Sequence, residues 1–249
     1  MLTEERLKRI LSIVNETGSV TITDLVKELS TSESTIRRDL AYLDRRRDLV
    51  KVRGGAVAIS RSYGTRDDDV LSRKSRSIEA KRRIAIYAAS LIGDEDFVFI
   101  DAGTTTELMI PHISNHRAKF VTNSLSHAMK LAELDFTVYI LGGEFKNTTG
   151  AIVGEEAIAS LSKYNFTKGF FGTNGVHKEM GFTTPEVRES LIKRTAMSRC
   201  QRCYILADHT KLGSVYSVTF GDYLSAEVLT DSATDGFKDE ATITEVGKS

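Results

Sequence analysis

Two groups of residues in this chain have types and spacings suited to binding chemistry. The first is a series of turns. Apolar runs at 97–100, 119–122, 136–141, 169–171 and 203–207 each give way to small, polar or ionisable residues. The first run leads into Asp101-Ala-Gly103-Thr104-Thr105-Thr106, the second ends in Thr122-Asn123-Ser124 and the third in Leu141-Gly142-Gly143. The fourth ends in Phe171-Gly172-Thr173-Asn174-Gly175 and the fifth in Ala207-Asp208-His209-Thr210-Lys211. Glycine lets a backbone approach a ligand closely, and free N–H groups with threonine hydroxyls at a helix start suit a phosphate. With Lys211 on that phosphate and Asp101 and Asp208 on sugar hydroxyls, the turns would make a phosphosugar pocket with no role for a metal. Any one of them could equally be plain helix capping; the succession of five carries the reading.

The second group lies between Ser30 and Gly55. Ile36, Leu40 and Leu43 recur at i, i+4 and i+7, one apolar stripe of a helix. Ser34, Arg38 and Arg45 point away from that stripe, and Thr35 and Arg37 flank it. Arginine can bridge guanine O6 and N7 or clamp a phosphate, and Ser and Thr can contact either. Ser30 or Ser32 can cap the helix, and Glu33, three residues past Ser30, would complete a capping box.

These residues need elements to hold them. Leu7, Ile10, Leu11 and Val14 form a first amphipathic stripe, ending near Gly18, and Ile22, Leu25, Val26 and Leu29 a second, opened by Thr21 or Thr23. With the capped helix they make a helix-turn-helix. After Arg47, the run at 49–53, a Gly54-Gly55 turn and a return run at 56–59 read as a hairpin wing carrying Lys51 and Arg53. Residues 60–75 are polar and aperiodic, a linker. A helix is expected over 77–91, with Ile84, Ala85, Ala88 and Leu91 on one face. Beyond Gly93 the apolar runs alternate with helical stretches after Thr104, Ser124, Val153 and Pro185, which argues for a mostly parallel sheet covered by helices. Such sheets bind ligands at the carboxyl ends of their strands, where the five turns lie. The tail from Asp231 reads as a short helix and a weak strand.

The formal net charge is zero, yet it divides unevenly. The first 83 residues hold 19 Lys/Arg and 13 Asp/Glu, and the remainder 15 and 21. A basic end on an acidic body suggests a polyanionic partner for the first part only. No run of about 18 apolar residues exists. The N-terminus lacks the apolar segment of a secretory signal. A cytoplasmic protein without structural disulfides or membrane association is therefore expected. Cys200 and Cys203 have metal or redox spacing, but no second pair completes a zinc site, so they read as packing at a helix end and strand. His112 and His116 flank loop-like residues and read as exposed. No Gly-x-Ser-x-Gly nucleophile elbow occurs.

Arg6, Ile10, Val14, Ser32 and the segment Thr35 to Leu40 match the spacing of the DeoR-family helix-turn-helix signature. The chain resembles that family over nearly its whole length. The resemblance implies a winged helix that binds operator DNA, with Ser34, Thr35, Arg37 and Arg38 on bases and phosphates and Lys51 and Arg53 on the wing. It implies a sensor domain similar in fold to ribose-5-phosphate isomerase. There Gly103-Thr104-Thr105 matches the phosphate-side Gly-Ser-Thr loop, and Asp208 to Lys211 matches Asp-Ala-Ser-Lys. Glu189 matches the catalytic glutamate across a gap. Residues 171–175 fall where the isomerase has Asp-Gly-Ala-Asp-Glu, so those carboxylates are missing, and isomerisation needs a positioned base. Binding without turnover is expected, with no cofactor.

The expected architecture is a winged helix-turn-helix over 1–59, a linker over 60–75 and an α/β phosphosugar sensor over 76–249. Within the family the resemblance is to fructose-operon repressors, carried by the stretches at 1–6, 32–40, 101–111, 141–154 and 171–176. A repressor answering fructose 1-phosphate is the leading expectation. A lactose/tagatose 6-phosphate repressor and an isomerase-like enzyme bearing a DNA-binding domain are the alternatives; a protein-interaction module with a dead ligand pocket is a third class. A homo-oligomer is expected, with contacts near Ser77–Leu91 and Val153–Leu161.

Overall fold

The computed structural model describes residues 3–17, 19–46, 48–57, 76–233, 235–238 and 240–247. It divides into two compact units, Met1–Ser62 and Tyr63–Ser249. The linker expected at 60–75, Gly18, Arg47 and the end of the return strand at 58–59 lie outside the described residues. No described helix is long and apolar enough to cross a membrane.

The first unit contains helices α1 (Thr3–Thr17), α2 (Ile22–Leu29) and α3 (Glu33–Arg45) and strands β1 (Ser19–Thr21), β2 (Val50–Val52) and β3 (Gly55–Val57). The three apolar stripes meet in one core, where Ile10, Val14, Leu25, Ile36, Leu40 and Leu43 are fully enclosed. Thr21 caps α2, its hydroxyl accepting from Asp24 N at 3.2 Å. The cap of α3 is Ser32, which accepts from Thr35 N at 3.3 Å. Ser30 instead closes α2 in a left-handed conformation (φ 47°), so the Ser30–Glu33 capping box does not form. Glu33 pairs with Arg37. A partly buried ion pair ties α1 to α3: Arg6 Nε donates to Asp39 Oδ2 at 2.6 Å.

The wing forms, with one strand more than expected. β3 lies between β1 and β2, antiparallel to both. Gly55 is therefore a ladder residue opposite Thr21, and the turn sits at Arg53-Gly54, with Gly54 at φ 93°. A Cβ on Gly55 would fall 2.1 Å from the Val20 carbonyl oxygen, which is backbone and cannot swing aside. Gly55→Ala is expected to lower the stability of this unit by about 1–3 kcal/mol through overpacking. Urea denaturation of the variant checks it; an unchanged midpoint would show that β1 can move.

The second unit is built on seven parallel strands in the order β15-β14-β12-β9-β4-β5-β6. These are β4 (Phe97–Ile100), β5 (Lys119–Thr122), β6 (Thr137–Ile140), β9 (Phe166–Gly172), β12 (Cys200–Leu206), β14 (Glu227–Thr230) and β15 (Ile243–Glu245). Helices α4 (Ile78–Ser90), α5 (Thr104–Met109) and α6 (Leu125–Glu133) belong to one face, and α7 (Glu155–Leu161) and α8 (Val187–Met197) to the other. Val98, Ile100, Phe120 and Phe170 pack with Ile84, Ala85 and Ala88 of α4. Phe99, Val121, Phe171 and Ile205 pack with Ala157, Leu161, Ile192 and Ala196. Burial on both faces is why the strands read as continuous apolar runs.

Three features depart from the expected alternation. A hairpin joins β7 (Glu144–Lys146) to β8 (Ala151–Val153). A separate antiparallel sheet joins β10 (Gly175–His177), β11 (Gly181–Thr184) and β13 (Val218–Gly221). β14, just before the tail, extends the main sheet although no strand was expected there; within the tail a short helical turn at Asp235–Phe237 and strand β15 form as expected. The unexpected strands have three or four residues, too few for a period to show. Cys200 and Cys203 both lie in β12 as free thiols, and Cys200 Sγ donates to Ala196 O.

Candidate functional site

The carboxyl ends of β4, β9 and β12 open into a pocket in the second unit. Asp101 follows β4, Gly172 ends β9, and Asp208 follows β12. Asp101 is almost wholly buried. Its Oδ2 accepts from Gly172 N at 3.1 Å and takes a close ion pair from Lys193 Nζ. Lys193 projects from α8; its ammonium also donates to Gly172 O at 3.0 Å and lies 5.4 Å from the centre of the Phe220 ring. Asp208 Oδ1 accepts from Thr210 N at 3.1 Å, which caps the short turn that carries Lys211. Lys81, on the first turn of α4, is buried and donates to Thr104 Oγ1 at 3.3 Å.

Glu189 sits one helical turn before Lys193 and accepts from Lys146 Nζ at 3.0 Å. Burial pushes its carboxyl up; the neighbouring Thr149 hydroxyl and the ammonium groups of Lys193 and Lys146 outweigh that and hold it below its ordinary value. Glu189 is thus an ionised, paired carboxylate. Glu186 accepts from the N–H groups of Arg188 and Glu189 and fixes the start of α8.

Eight residues singled out in the sequence come together in this lining: Asp101, Gly103, Thr104, Thr105, Asn174, Glu189, Asp208 and Lys211. Thr106, Asn123, Ser124, Gly142 and Gly143 do not line it. Thr106 is fully buried, accepting from Gly103 N at 3.0 Å and donating to Asp101 O at 2.6 Å, so it shapes the turn from behind. Asn123 accepts from Ala102 N at 3.0 Å and braces the same turn. Ser124 caps α6. Gly143 holds a positive φ of 140° where a Cβ would meet Val153 O at 2.7 Å, a close passage of the hairpin.

Gly172 and Thr173 of the fourth turn also line the pocket, as do Arg76, Lys81 and Lys193, which are not among the residues singled out in the sequence. A signal existed for both lysines. Lys81 stands three and four residues before Ile84 and Ala85, and Lys193 three and four before Ala196 and Met197. Each is a charge on the apolar stripe of its helix, a position that calls for a buried partner.

In the first unit Ser34, Arg37, Arg38, Lys51 and Arg53 are exposed and Thr35 is half-buried. Ser34 Oγ and Thr35 Oγ1 lie 3.0 and 2.9 Å from Ser32 Oγ, grouped at the start of α3. Arg37 is engaged by Glu33 on the helix surface. Asp44 accepts from Lys51 N at 2.9 Å, which fixes the wing against α3.

Residues 6–62 match the DeoR-like helix-turn-helix domain, and residues 76–232 match the DeoR C terminal sensor domain. An uncharacterized HTH-type transcriptional regulator FruR of Bacillus subtilis (strain 168) is 38% identical over 234 residues, covering 94% of this chain and 92% of that one. A lactose phosphotransferase system repressor of Staphylococcus aureus (strain N315) is 38% identical over 212 residues, 84% of either chain. A ribose 5-phosphate isomerase A from Methanocaldococcus jannaschii covers 54% of both chains at 15% identity with a TM-score of 0.41, a likeness too slight to carry an argument.

Proposed function

Because this chain belongs to the DeoR family, we propose that it is a repressor of a sugar-utilisation operon that binds operator DNA and is released by a phosphorylated sugar. We take residues 1–59 as the DNA-binding domain, 60–75 as the connection and 76–249 as the sensor. One observation carries the choice of ligand class. The pocket gathers Arg76, Lys81, Lys193 and Lys211 against Asp101, Glu189 and Asp208, and Glu189 is further offset by Lys146. A lining with excess positive charge favours a dianionic phosphate over a neutral sugar. Lys81 beside Thr104, with Lys211, would take the phosphate; Asp208 and the remaining oxygen of Asp101 would take hydroxyls. Binding without turnover is the better reading. The segment 171–175 carries no carboxylate, and Asp101 and Glu189 both have lysine partners.

Fructose 1-phosphate is the leading effector, from the fructose-operon resemblance of the motifs around Asp101, Gly142 and Gly172. Tagatose 6-phosphate stands second, supported by the lactose phosphotransferase system repressors among the relatives. Ligand can alter DNA affinity only if the DNA-binding states differ in affinity for it. The test is titration of the operator complex with fructose 1-phosphate, tagatose 6-phosphate, fructose and inorganic phosphate. Release by one phosphosugar alone is expected. Lys211→Ala is expected to raise the concentration needed at least about tenfold, from loss of a charge-assisted bond worth roughly 1.5–3 kcal/mol. An equal response to fructose, or a variant identical to wild type, would move the phosphate elsewhere.

A further inference from the structure

We infer that Lys146, on the β7–β8 hairpin outside the pocket, is the positioning residue that keeps the Glu189 carboxylate turned into the pocket as an acceptor for a hydroxyl of the ligand. The inference rests on the proposed phosphosugar ligand. It gives a role to the stretch 142–154, whose residues do not line the pocket.

The hairpin is tied to two walls of the pocket without entering it. On one side β8 is joined to the turn that carries Asp101. Ile152 N donates to Asn123 O at 2.6 Å, and the Asn123 side chain accepts from Ala102 N at 3.0 Å. On the other side β7 meets the start of α8. Lys146 Nζ lies 3.0 Å from Glu189 Oε1 and 3.5 Å from Glu186 Oε2. The N–H groups of Thr149 and Gly150 both donate to Lys146 O, at 3.3 and 2.8 Å, and close a turn that fixes where this side chain starts. The Lys146 and Glu189 side chains are 15% and 10% exposed, so salt and water screen their contact weakly.

Glu189 stands between two cations. Lys193 follows four residues on along α8, on the same face, and already holds Asp101 and donates to Gly172 O. With Lys146 gone, the Glu189 carboxylate would be drawn onto Lys193, and that ammonium would have to serve two carboxylates. Glu186, fixed by the N–H groups of Arg188 and Glu189, would then face Glu189 with no lysine between them. Lys146 opposes both changes from outside the pocket. It occupies Glu189 Oε1, and a carboxylate has acceptor sites to spare, so a hydroxyl of the ligand can be bound as well. The other ion pair between the hairpin and α8, Glu144 with Arg188, is 62% and 45% exposed and contributes little.

The test is calorimetric titration of the full chain, free of DNA, with fructose 1-phosphate, tagatose 6-phosphate and inorganic phosphate. Inorganic phosphate occupies only the side of Lys81 and Lys211, so it probes the pocket without Glu189. Lys146→Met is expected to weaken binding of the phosphosugar that wild type takes by about tenfold, the loss of a charge-assisted hydrogen bond, while inorganic phosphate binds as it does to wild type. Lys146→Arg, which keeps the charge, should recover most of that loss. Glu189→Gln should lose as much as Lys146→Met, and the double variant no more than either, because both remove one contact. Glu144→Gln, on the same hairpin, should bind as wild type. Lys146→Met at wild-type affinity, equal losses for phosphosugar and inorganic phosphate, or a loss in Glu144→Gln as large as in Lys146→Met would each overturn the role of Lys146. A wild type that takes neither phosphosugar would overturn the ligand class, and with it the hydroxyl contact of Glu189.

Discussion

Lys193→Met is expected to cost about 3–5 kcal/mol of folding stability, the typical penalty for removing one partner of a buried ion pair. The two side chains are 7% and 3% exposed, so solvent cannot replace the missing ammonium. Methionine keeps most of the volume and the contact with Phe220, which isolates the charge as the variable. Asp101 would be left with the Gly172 N–H as its partner on that oxygen. The double variant Lys193→Met/Asp101→Asn should recover at least about half of the loss, because a buried neutral amide is far less costly than a buried unpaired carboxylate. Urea denaturation of the single and double variants closes the cycle. A single variant within about 1 kcal/mol of wild type would mean that water reaches Asp101. Recovery in the double variant without regained ligand response would separate the pair's structural part from its part in binding.

Operator affinity is expected to fall by roughly 1,000- to 100,000-fold between about 50 and 200 mM salt, if some 6–10 phosphates are contacted. The expectation rests on the basic excess of the first 83 residues and on the exposed Arg38, Lys51 and Arg53. Arg37 enters differently, since it must give up its surface pair with Glu33 to reach a phosphate. Exposed pairs at i, i+4 contribute only about 0.3–0.5 kcal/mol, so that exchange is inexpensive. Fluorescence anisotropy on operator and scrambled duplexes across a salt series provides the measurement. Arg38→Ala should cost about 1–3 kcal/mol on operator alone if it reads a base. Equal losses on both duplexes would make it a phosphate contact. A salt-independent affinity would remove the DNA-binding assignment of α3 and the wing.

What was legible follows from local periodicity. The stripe Ile36, Leu40 and Leu43 marks a helix because 3.6 residues make a turn, and its outward residues follow from that alone. The strands at 97–100 and 119–122 are legible because a sheet covered on both faces needs unbroken apolar runs. The Asp101 and Asp208 turns are legible because they stop those runs with residues that cap or bind. The stretches at 144–146, 175–177 and 218–221 carry no such mark. Each is short, and β13 finds its partner β11 across more than thirty residues of chain.

The sequence by itself determined the helices and five adjoining strands of the seven in the parallel sheet, which end of the sheet carries polar chemistry, and which face of α3 points away from its core. Those depend on the order of neighbouring residues. Only the tertiary structure decided which polar residues share a pocket. Thr106 and Asn123 look like ligand groups in sequence and prove to be braces, because their hydrogen bonds are spent on Asp101, Gly103 and Ala102. Lys81 and Lys193 look like misplaced charges on apolar stripes and prove to line the pocket, because α4 and α8 bring them to Thr104 and Asp101. Asp39 is the same case in the first unit, a charge on the stripe of α3 that Arg6 of α1 neutralises. A charge can be buried only where a distant element supplies its partner. Where along the chain that partner lies is set by the packing of elements, which no local pattern records.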